Sequence, residues 1–431
     1  MTAPRDRLES WKEISAYLER TSRTCQKWEA GYGLPIHRLS ESPKARVYAF
    51  KSELDAWLDR ILRETESREA AAAVPPVRTG PSVPEPGPDL PAVSRSAFAN
   101  KLYWAGRTAT ERFLATRDPA DLATAVDMFE KVRDEDPCNA MAYLGLGDAY
   151  RWDYAFQGMK PARLVLMTES YTKAYELAPD QAGTNIGLGW SRYFPGDIAG
   201  AGEAFGRAAR IKPDDPEVDF EIADFLIGLG HPDRALRRFN RILAGAAART
   251  RVRWLRALCL EWLGDYPAAL EDGRKAIELE PTSSYLRCLQ ARLRILTGNL
   301  HEAEAELAVA QALSPSSGDV AFTKALLWAA RGDRTKAEDA LARPARPTVL
   351  RNYIETMVYA KLGDLDESID LIASTIESGF AKLVTRPYFY LFLANPNNHF
   401  YDPLRSQPRF MEIQARQKRR YEEESARLGD L

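Results

Sequence analysis

A short run near the start of the chain, RTSRTCQKWE, carries side chains that could read nucleic acid. Arg23, Gln26 and Lys27 follow the i, i+3, i+4 spacing that places residues on one face of a helix. Arginine and lysine bind guanine or phosphate, and glutamine binds adenine. Cys25 and Trp28 would then face the opposite way, into a core. The pattern predicts a helix with one exposed polar face and one buried face.

The residues before this run predict a first helix that would help to position it. Ser10 and Glu13 form the S-x-x-E capping box with which many helices begin. Trp11, Ile14 and Leu18 supply an apolar stripe at helical spacing. A short turn then leads to the second helix, for which a threonine can serve as the N-terminal cap.

The residues after the run predict a hairpin and a third helix. Two extended runs, at 34–39 and 46–51, flank a loop, and residues 52–62 return to helical periodicity. Between residues 12 and 51, eight lysines and arginines oppose four glutamates, a local charge of +4, although the whole chain carries −2. A modest basic face of this kind supports a few phosphate contacts.

Helix, tight turn, helix, hairpin and helix make a winged helix-turn-helix. The stretch SWKEISAYLERTSRTCQKWEAGYGLPIHR, with VYAFKSELDAWL, resembles the MerR/excisionase-type DNA-binding domains of bacteria. The resemblance implies that the second helix enters the major groove of double-stranded DNA and that the hairpin touches the backbone. The implied DNA contacts are Ser22, Arg23, Thr24, Gln26 and Lys27 on the helix, and Arg38, Lys44 and Arg46 on the hairpin. No dimerising coiled coil follows, so duplex binding by a homodimer would need a dimer surface elsewhere, for example in the repeats.

A proline-rich stretch at 64–97 separates this module, at 8–63, from the rest of the chain. Seven prolines lie between Pro75 and Pro91, with almost no bulky apolar side chains among them. Such a composition cannot bury enough surface to fold, and proline keeps the backbone extended. We expect a semi-stiff, disordered linker.

From residue 98 onward the sequence repeats itself. Glycines recur in steps of 34 residues at Gly196, Gly230, Gly264, Gly298 and Gly332, and Gly363 follows 31 residues later. An alanine keeps the same step from Ala201 to Ala337. A fixed period of this length predicts stacked helix pairs, in which the glycine ends the first helix in a left-handed conformation.

One such unit, TRVRWLRALCLEWLGDYPAALEDGRKAIELEPTS, resembles the tetratricopeptide repeat (TPR) family. The matching residues are Leu263, Gly264, Tyr266, Ala269, Ala276 and Pro281. The resemblance covers nearly all of 98–378 and implies about eight antiparallel helix pairs in a superhelix. The pairs are expected near 98–137, 140–179, 182–213, 216–247, 250–281, 284–315, 318–345 and 348–378. Residues 379–431 are expected to form a C-terminal capping segment with a charged helix.

A TPR stack presents a concave face, lined by the first helix of each pair, to a protein or peptide partner. The candidate lining residues are Trp190, Tyr193, Phe220, Asp224, Trp254, Glu261, Trp262, Tyr285 and Arg292. Aromatic residues at this spacing could instead pack as core between neighbouring repeats. No regular lysine and asparagine pattern identifies the partner.

No catalytic, metal or cofactor site is predicted. The sequence contains no G-x-S-x-G, G-x-x-x-x-G-K-[ST], H-E-x-x-H or CxxC motif, and its four cysteines and four histidines stand apart. The N-terminus has no apolar signal region, and no apolar run approaches the ~20 residues that cross a bilayer. We therefore expect a mostly α, cytoplasmic protein that is not an enzyme and has no membrane partner.

Two hypotheses follow. In the first, the chain is a bacterial transcription regulator whose winged helix-turn-helix binds DNA while its TPR superhelix receives a protein or peptide signal. In the second, the chain is a TPR interaction scaffold whose N-terminal module binds protein rather than DNA.

Overall fold

The described part of the chain is mostly helical and forms two compact units. The computed structural model describes residues 6–18, 22–38, 46–57, 60, 93–116, 118–156, 161–245, 250–315, 317–342, 349–377 and 390–428. The first unit contains the described residues of 6–60, 250–377 and 390–419, and the second unit contains those of 93–245 and 420–428. The division falls within the repeats, between two helix pairs.

The N-terminal module belongs to the first unit. Its elements are β1 (Arg7–Leu8), α1 (Trp11–Tyr17), α2 (Ser22–Tyr32), β2 (His37–Arg38), β3 (Val47–Phe50) and α3 (51–57). The strand β3 lies in the centre of a small sheet and pairs antiparallel with β1 and β2. The strands β2 and β3 lie within the two predicted extended runs, whereas β1 was not predicted.

Local capping and a small apolar core hold the module together. The Ser10 hydroxyl accepts the Glu13 N–H at 3.2 Å, and the Glu13 carboxylate accepts the N–H of Glu9 at 2.8 Å. Cys25 and Trp28 are buried, as their spacing on α2 predicts. They pack with the buried residues Leu8, Ile14, Leu18, Leu34, Val47, Ala49, Leu54 and Trp57.

The tryptophan of α2 also connects the module to the repeats of the same unit. The indole Nε1–H of Trp28 donates a hydrogen bond of 2.8 Å to the backbone oxygen of Ala342. Ala342 is the C-terminal cap of a repeat helix. A buried indole N–H needs an acceptor, and here the repeats supply it.

The second unit contains four helix pairs among its described residues. They are α4 (Ala97–Thr116) with α5 (Pro119–Glu135), α6 (Ala140–Phe156) with α7 (Pro161–Leu177), α8 (Ala182–Tyr193) with α9 (Ile198–Ile211), and α10 (Pro216–Leu229) with α11 (Pro232–Ala244). Both helices of the second pair have 17 residues.

The first unit contains four more pairs and a C-terminal segment among its described residues. The pairs are α12 (Thr250–Leu263) with α13 (Tyr266–Leu279), α14 (Ser284–Leu296) with α15 (Leu300–Leu313), α16 (Gly318–Ala330) with α17 (Arg334–Leu341), and α18 (Val349–Leu362) with α19 (Leu365–Glu377). The C-terminal segment consists of α20 (Tyr390–Ala394), a 3₁₀ helix (His399–Leu404) and α21 (Pro408–Leu428), whose last residues, 420–428, group with the second unit. The predicted succession of helix pairs is confirmed.

The periodic glycines end the first helices as predicted. Gly196, Gly230, Gly264, Gly298, Gly332 and Gly363 all have positive φ, between 77° and 101°. This left-handed conformation strains residues that carry a Cβ, so glycine is preferred there. An aspartate often follows and caps the next helix, as Asp265 does by accepting the N–H of Ala268.

A second set of glycines lets aromatic rings pack between neighbouring helix pairs. Tyr171 on α7 lies between Gly147 of α6 and Gly187 of α8, and a Cβ at Gly147 would approach its ring to 2.4 Å. Phe129 on α5 lies in the same way against Gly106 and Gly145. The absent side chains create the space that these rings fill.

Some predictions fall outside the described residues. They concern most of the predicted linker at 64–97, the side chain of Lys44, and the side chains of Arg23, Thr24 and Lys27, although the backbone of these last three lies within α2. The described end of that linker, 93–97, is ordered, which corrects the prediction there: the Ser94 hydroxyl donates to Asp136 at 2.9 Å, and α4 begins at Ala97. Within the described ranges, no helix combines the length and apolar character needed to cross a membrane.

The ring packing predicts opposite effects for two glycine substitutions. Gly147→Ala should destabilise the protein by about 1–3 kcal/mol, because the new Cβ would overlap the Tyr171 ring. Gly202→Ala in α9 should stabilise it by about 0.5–1 kcal/mol, because its Cβ would meet only Leu428, at 3.6 Å, and alanine favours a helix over glycine. Urea denaturation followed by circular dichroism measures both; equal effects would contradict the packing argument.

Candidate functional site

The first helices of the pairs form the surface on which a partner was expected. Within each unit, first helices of successive pairs contact one another, as α14 does α16 and as α16 does α18. A bond between first helices that are not successive must therefore run along the inner face of the stack. Two buried clusters contain such bonds, one in each unit.

The first unit contains a cluster made of Glu261, Arg292 and Tyr353, hereafter the Arg292 cluster. Arg292 on α14 donates from Nε and Nη2 to the two carboxylate oxygens of Glu261 on α12, both at 2.8 Å. The hydroxyl of Tyr353 on α18 donates to Glu261 Oε1 at 2.5 Å. All three residues are at most 1% exposed. One carboxylate therefore joins three first helices.

The groups of this cluster shift one another's pKa values. Burial alone lowers the pKa of the Arg292 guanidinium, but the charge of Glu261 and its hydrogen bonds outweigh burial, so the pKa is raised. Burial and the nearby carboxylate also raise the pKa of the Tyr353 hydroxyl, which keeps it a donor. Such a bidentate, fully hydrogen-bonded pair meets the conditions under which a buried ion pair is tolerated.

The second unit contains a related cluster made of Arg151, Trp190 and Glu221, hereafter the Arg151 cluster. Arg151 on α6 donates to Glu221 on α10 at 2.9 and 3.3 Å, and the indole N–H of Trp190 on α8 donates to the same carboxylate at 2.6 Å. The guanidinium also lies 4.5 Å from the ring centre of Trp190 and 4.4 Å from that of Trp152, within cation–π range. Burial lowers and the Glu221 charge raises the pKa of Arg151, and the net direction is upward.

Most of the predicted concave-face residues are buried, which corrects the expectation that they line an open groove. The buried ones are Trp190, Tyr193, Phe220, Asp224, Glu261, Trp262 and Arg292. The reason is that the first helices in the middle of the array are covered on all sides: every residue of α10 from Val218 to Leu229 except Glu221 is buried. The alternative, core packing, describes these residues.

The remaining two candidates, Trp254 and Tyr285, are half-buried and pack on each other. The Trp254 indole N–H donates to the Tyr285 hydroxyl at 2.9 Å, and the two rings meet edge to face with centroids 5.1 Å apart. Both rest on a small apolar cluster of Ala276, Ile277 and Leu286. Their outer surface stays accessible to a partner.

The first two pairs of the second unit offer a more open surface. Arg107 on α4 and Asp148 on α6 approach to 3.9 Å, and their side chains are 40% and 26% exposed. The Tyr171 hydroxyl donates to Asp148 at 2.7 Å and orients the carboxylate. Burial raises the pKa of Asp148, although the neighbouring Arg151 and Arg107 act against it. Trp104 and Tyr143 are half-buried on the same two helices.

The described DNA-contact candidates differ in how they are held. Gln26 and Arg46 are exposed. The guanidinium of Arg38 is paired with Glu29, with Nη2 2.9 Å from Oε2, and the hydroxyls of Ser22 and Ser15 are 3.3 Å apart. To contact DNA, Arg38 would have to release the carboxylate of Glu29 and bind a phosphate instead.

Sequence reasoning missed Arg151, Glu221 and Tyr353 as members of buried clusters. Their bonds join residues 70 and 92 positions apart, beyond the reach of any local pattern. One signal was present: beside four acidic residues, α10 (PEVDFEIADFLIGL) has apolar residues on more than one face, and its last five residues are all apolar. A helix whose apolar residues extend around it is normally buried on more than one side.

The Arg292 cluster predicts a large and specific loss of stability. Arg292→Ala should cost about 3–5 kcal/mol in the free energy of unfolding, because Glu261 would be left buried without its counter-charge. Arg274→Ala removes an exposed arginine that pairs with Glu271 and Glu278, and it should leave stability unchanged. Urea denaturation compares the two variants, and similar midpoints would refute a supporting role for the cluster.

Comparisons with known proteins agree with the helix pairs. A family model described as tetratricopeptide repeat matches residues 195–259. The cellulose synthase operon protein C of Pseudomonas fluorescens (strain SBW25) is 24% identical over 256 residues, 56% of this chain and 20% of that protein. The chain thus spans about a fifth of the length of this curated relative.

The chain is also similar to solved structures. The human IFIT1 dimer with m7Gppp-AAAA matches with a TM-score of 0.51 and 16% identity, covering 86% of this chain and 78% of that one. The Pseudomonas aeruginosa protein pilF matches with a TM-score of 0.39 and 17% identity, covering 48% of this chain and 90% of that one. At such identities the likeness concerns the fold alone. Together with the periodic glycines and the helix pairs, the family match shows that this chain contains a tetratricopeptide repeat domain.

Proposed function

We propose that this chain is an interaction scaffold that binds a protein partner through the first two helix pairs of its repeat array. The observation that carries this proposal is the Arg107–Asp148 pair on the first helices α4 and α6, whose side chains are 40% and 26% exposed. Further along the array, α10 and α12 are buried along most of their length. A partner therefore finds accessible polar and aromatic side chains at one end of the array.

The chemistry of this end suits a protein partner. Arginine and aromatic residues are enriched at the energetic centres of protein interfaces. Arg107 is accompanied by Arg112, whose guanidinium lies 3.0 Å from Asp121, and by the half-buried rings of Trp104 and Tyr143. The mixture of both charge signs with aromatic rings favours a folded or peptide partner over a purely anionic polymer.

DNA binding by the N-terminal module is the second candidate function. It is favoured by two predicted contacts among the residues whose side chains are described, Gln26 on α2 and Arg46 before β3, which are exposed. Against it stands the pairing of Arg38 with Glu29, which gives a predicted phosphate contact an internal partner. This pairing supports the scaffold hypothesis, in which the module contacts protein.

The scaffold hypothesis predicts partners that depend on Arg107. Affinity enrichment from host lysate with the intact chain, quantified by mass spectrometry, should recover proteins that no longer bind Arg107→Glu, because reversing this charge places it against Asp148 and removes a cationic contact. Arg274→Glu, on an exposed face of α13, should retain them. If the intact chain, Arg107→Glu and Arg274→Glu all recover the same proteins, Arg107 takes no part in binding them.

The DNA hypothesis predicts a salt-dependent affinity that specific side chains control. Anisotropy of labelled duplexes with the intact chain should give a negative log–log salt slope, which becomes shallower by about 0.9 for each phosphate that a substitution deprives of its lysine or arginine. Arg23→Ala with Lys27→Ala should abolish most binding, whereas Arg60→Ala, outside the predicted face, should not. Absence of duplex binding even at low salt would leave the module as a protein-binding element.

A further inference from the structure

The C-terminal segment of the first unit lies on the repeats in an unusual way. Side-chain amides in the turn after α20 bind the end of helix α12: Asn395 Nδ2 donates to the backbone oxygen of Glu261 at 3.3 Å, and Asn397 Nδ2 donates to that of Gly264 at 3.1 Å. The Glu261 oxygen also accepts the N–H of Gly264 at 3.1 Å, so Asn395 adds a second donor to it. The Gly264 oxygen, just past the end of the helix, accepts the amide of Asn397.

The same segment reaches a first helix three pairs further along. The ring of Phe392 meets the edge of Tyr353 on α18 with centroids 5.0 Å apart, and the hydroxyl of Tyr401 lies 2.7 Å from that of Thr356. Residues 390–404 therefore run from α12 to α18 along the first helices. They occupy the face on which a TPR array is expected to hold a peptide.

Because Gly264 has no side chain, the segment can lie directly against it. A Cβ at Gly264 would lie 2.6 Å from Asn395 Oδ1 and 2.9 Å from Asn397 Nδ2. At Gly298 and Gly332, which hold the same place in the next two repeats with the same left-handed φ, a Cβ would meet nothing within 4 Å. The close approach is thus a property of one repeat and not of the repeat pattern.

The segment closes its own turn and also buries apolar side chains: Phe392, Leu393, Tyr401 and Leu404 are at most 1% exposed. Its turn is closed internally: the Asn397 N–H donates to Asn395 Oδ1 at 2.9 Å, and Arg405 donates to the Asn395 backbone oxygen at 2.7 Å. A cleft of about 540 Å³ remains between repeat residues such as Tyr266 and Lys361 and segment residues such as His399. A preformed turn with a few buried anchor side chains is the form in which a preorganised peptide ligand binds.

We propose that residues 390–404 are an intramolecular ligand that covers a second partner-binding surface of the repeats. A partner peptide of the same chemistry, an asparagine-rich turn flanked by aromatic residues, displaces it. This inference rests on the proposed function, since it assumes that the repeats bind protein. It adds the chemistry of the partner and a reason why the surface is closed when no partner is bound.

The first experiment measures how firmly the segment is held. Hydrogen exchange of the full chain should show exchange in 390–404 accelerated about tenfold by Asn395→Ala with Asn397→Ala, because these substitutions remove the hydrogen bonds to α12. Gly264→Ala should do the same by steric exclusion. Its matched control, Gly298→Ala, carries the same backbone strain and should leave the segment protected. Equal protection in all variants would overturn the proposal.

The second experiment tests whether the uncovered surface binds. The probe is a labelled peptide with the sequence of residues 390–407, followed by anisotropy. It should bind the Asn395→Ala, Asn397→Ala chain about tenfold more tightly than the original chain, because the competing segment is weakened. Adding Gly264→Ala to that chain should abolish binding, and a peptide with both asparagines replaced should not bind.

The outcomes separate this inference from the proposed function. Faster exchange without peptide binding would make the segment a structural cap and sink the inference. Recovery of partners that depend on Arg107 would leave the proposed function standing in that case, because Arg107 belongs to the other unit. Failure to recover Arg107-dependent partners with intact peptide binding would instead sink the proposed first surface alone.

Discussion

The buried carboxylate of Glu261 is the group on which the first unit depends. Its two oxygens accept the guanidinium of Arg292 and the hydroxyl of Tyr353, and its backbone oxygen accepts the amide of Asn395. An ionised carboxylate out of contact with water is costly unless all its acceptor positions are filled. Because the donors come from α14, α18 and the C-terminal segment, these elements must keep one relative position for Glu261 to keep its hydrogen bonds. One residue therefore links two other first helices and the C-terminal segment to α12.

The second unit meets a similar constraint with different partners. Glu221 receives Arg151 from α6 and the indole of Trp190 from α8, so three first helices again share one carboxylate. Replacing a buried ion pair by apolar residues often leaves stability unchanged or raises it. We therefore attribute to these clusters the selection of one helix arrangement, since directional bonds tolerate less displacement than apolar contacts do.

The local features of the fold could be predicted, because they arise from residues that are close in sequence. Glycine every 34 residues requires a left-handed helix end, and each of the six glycines has one. The helix pairs follow from the same period, and the inward direction of Cys25 and Trp28 follows from their spacing on α2. The strand β1 was missed because two residues, Arg7 and Leu8, are too few to show alternation.

The candidate site could be predicted only in part. A repeat period shows which helix of a pair faces inward, but it does not show what covers that helix. The partners of Glu261 lie 31, 92 and 134 residues away. Such distances leave no periodic trace in a single sequence. In the sequence, Arg107 and Glu261 are both polar residues on first helices, and nothing marks one as accessible and the other as covered. Only their burial in the structure distinguishes them.

The closure of the inner face restricts what a partner must offer. A ligand that removes the C-terminal segment exposes the carbonyl oxygens of Glu261 and Gly264, together with the apolar edge of Tyr353. The Glu261 oxygen keeps the N–H of Gly264, but a bound ligand that covers the Gly264 oxygen without donating a hydrogen bond would incur the cost of an unsatisfied acceptor. A competent partner must therefore place a donor beside the end of α12 and an aromatic group beside α18. The segment itself meets both requirements, so its sequence is the best available description of the partner that the repeats select.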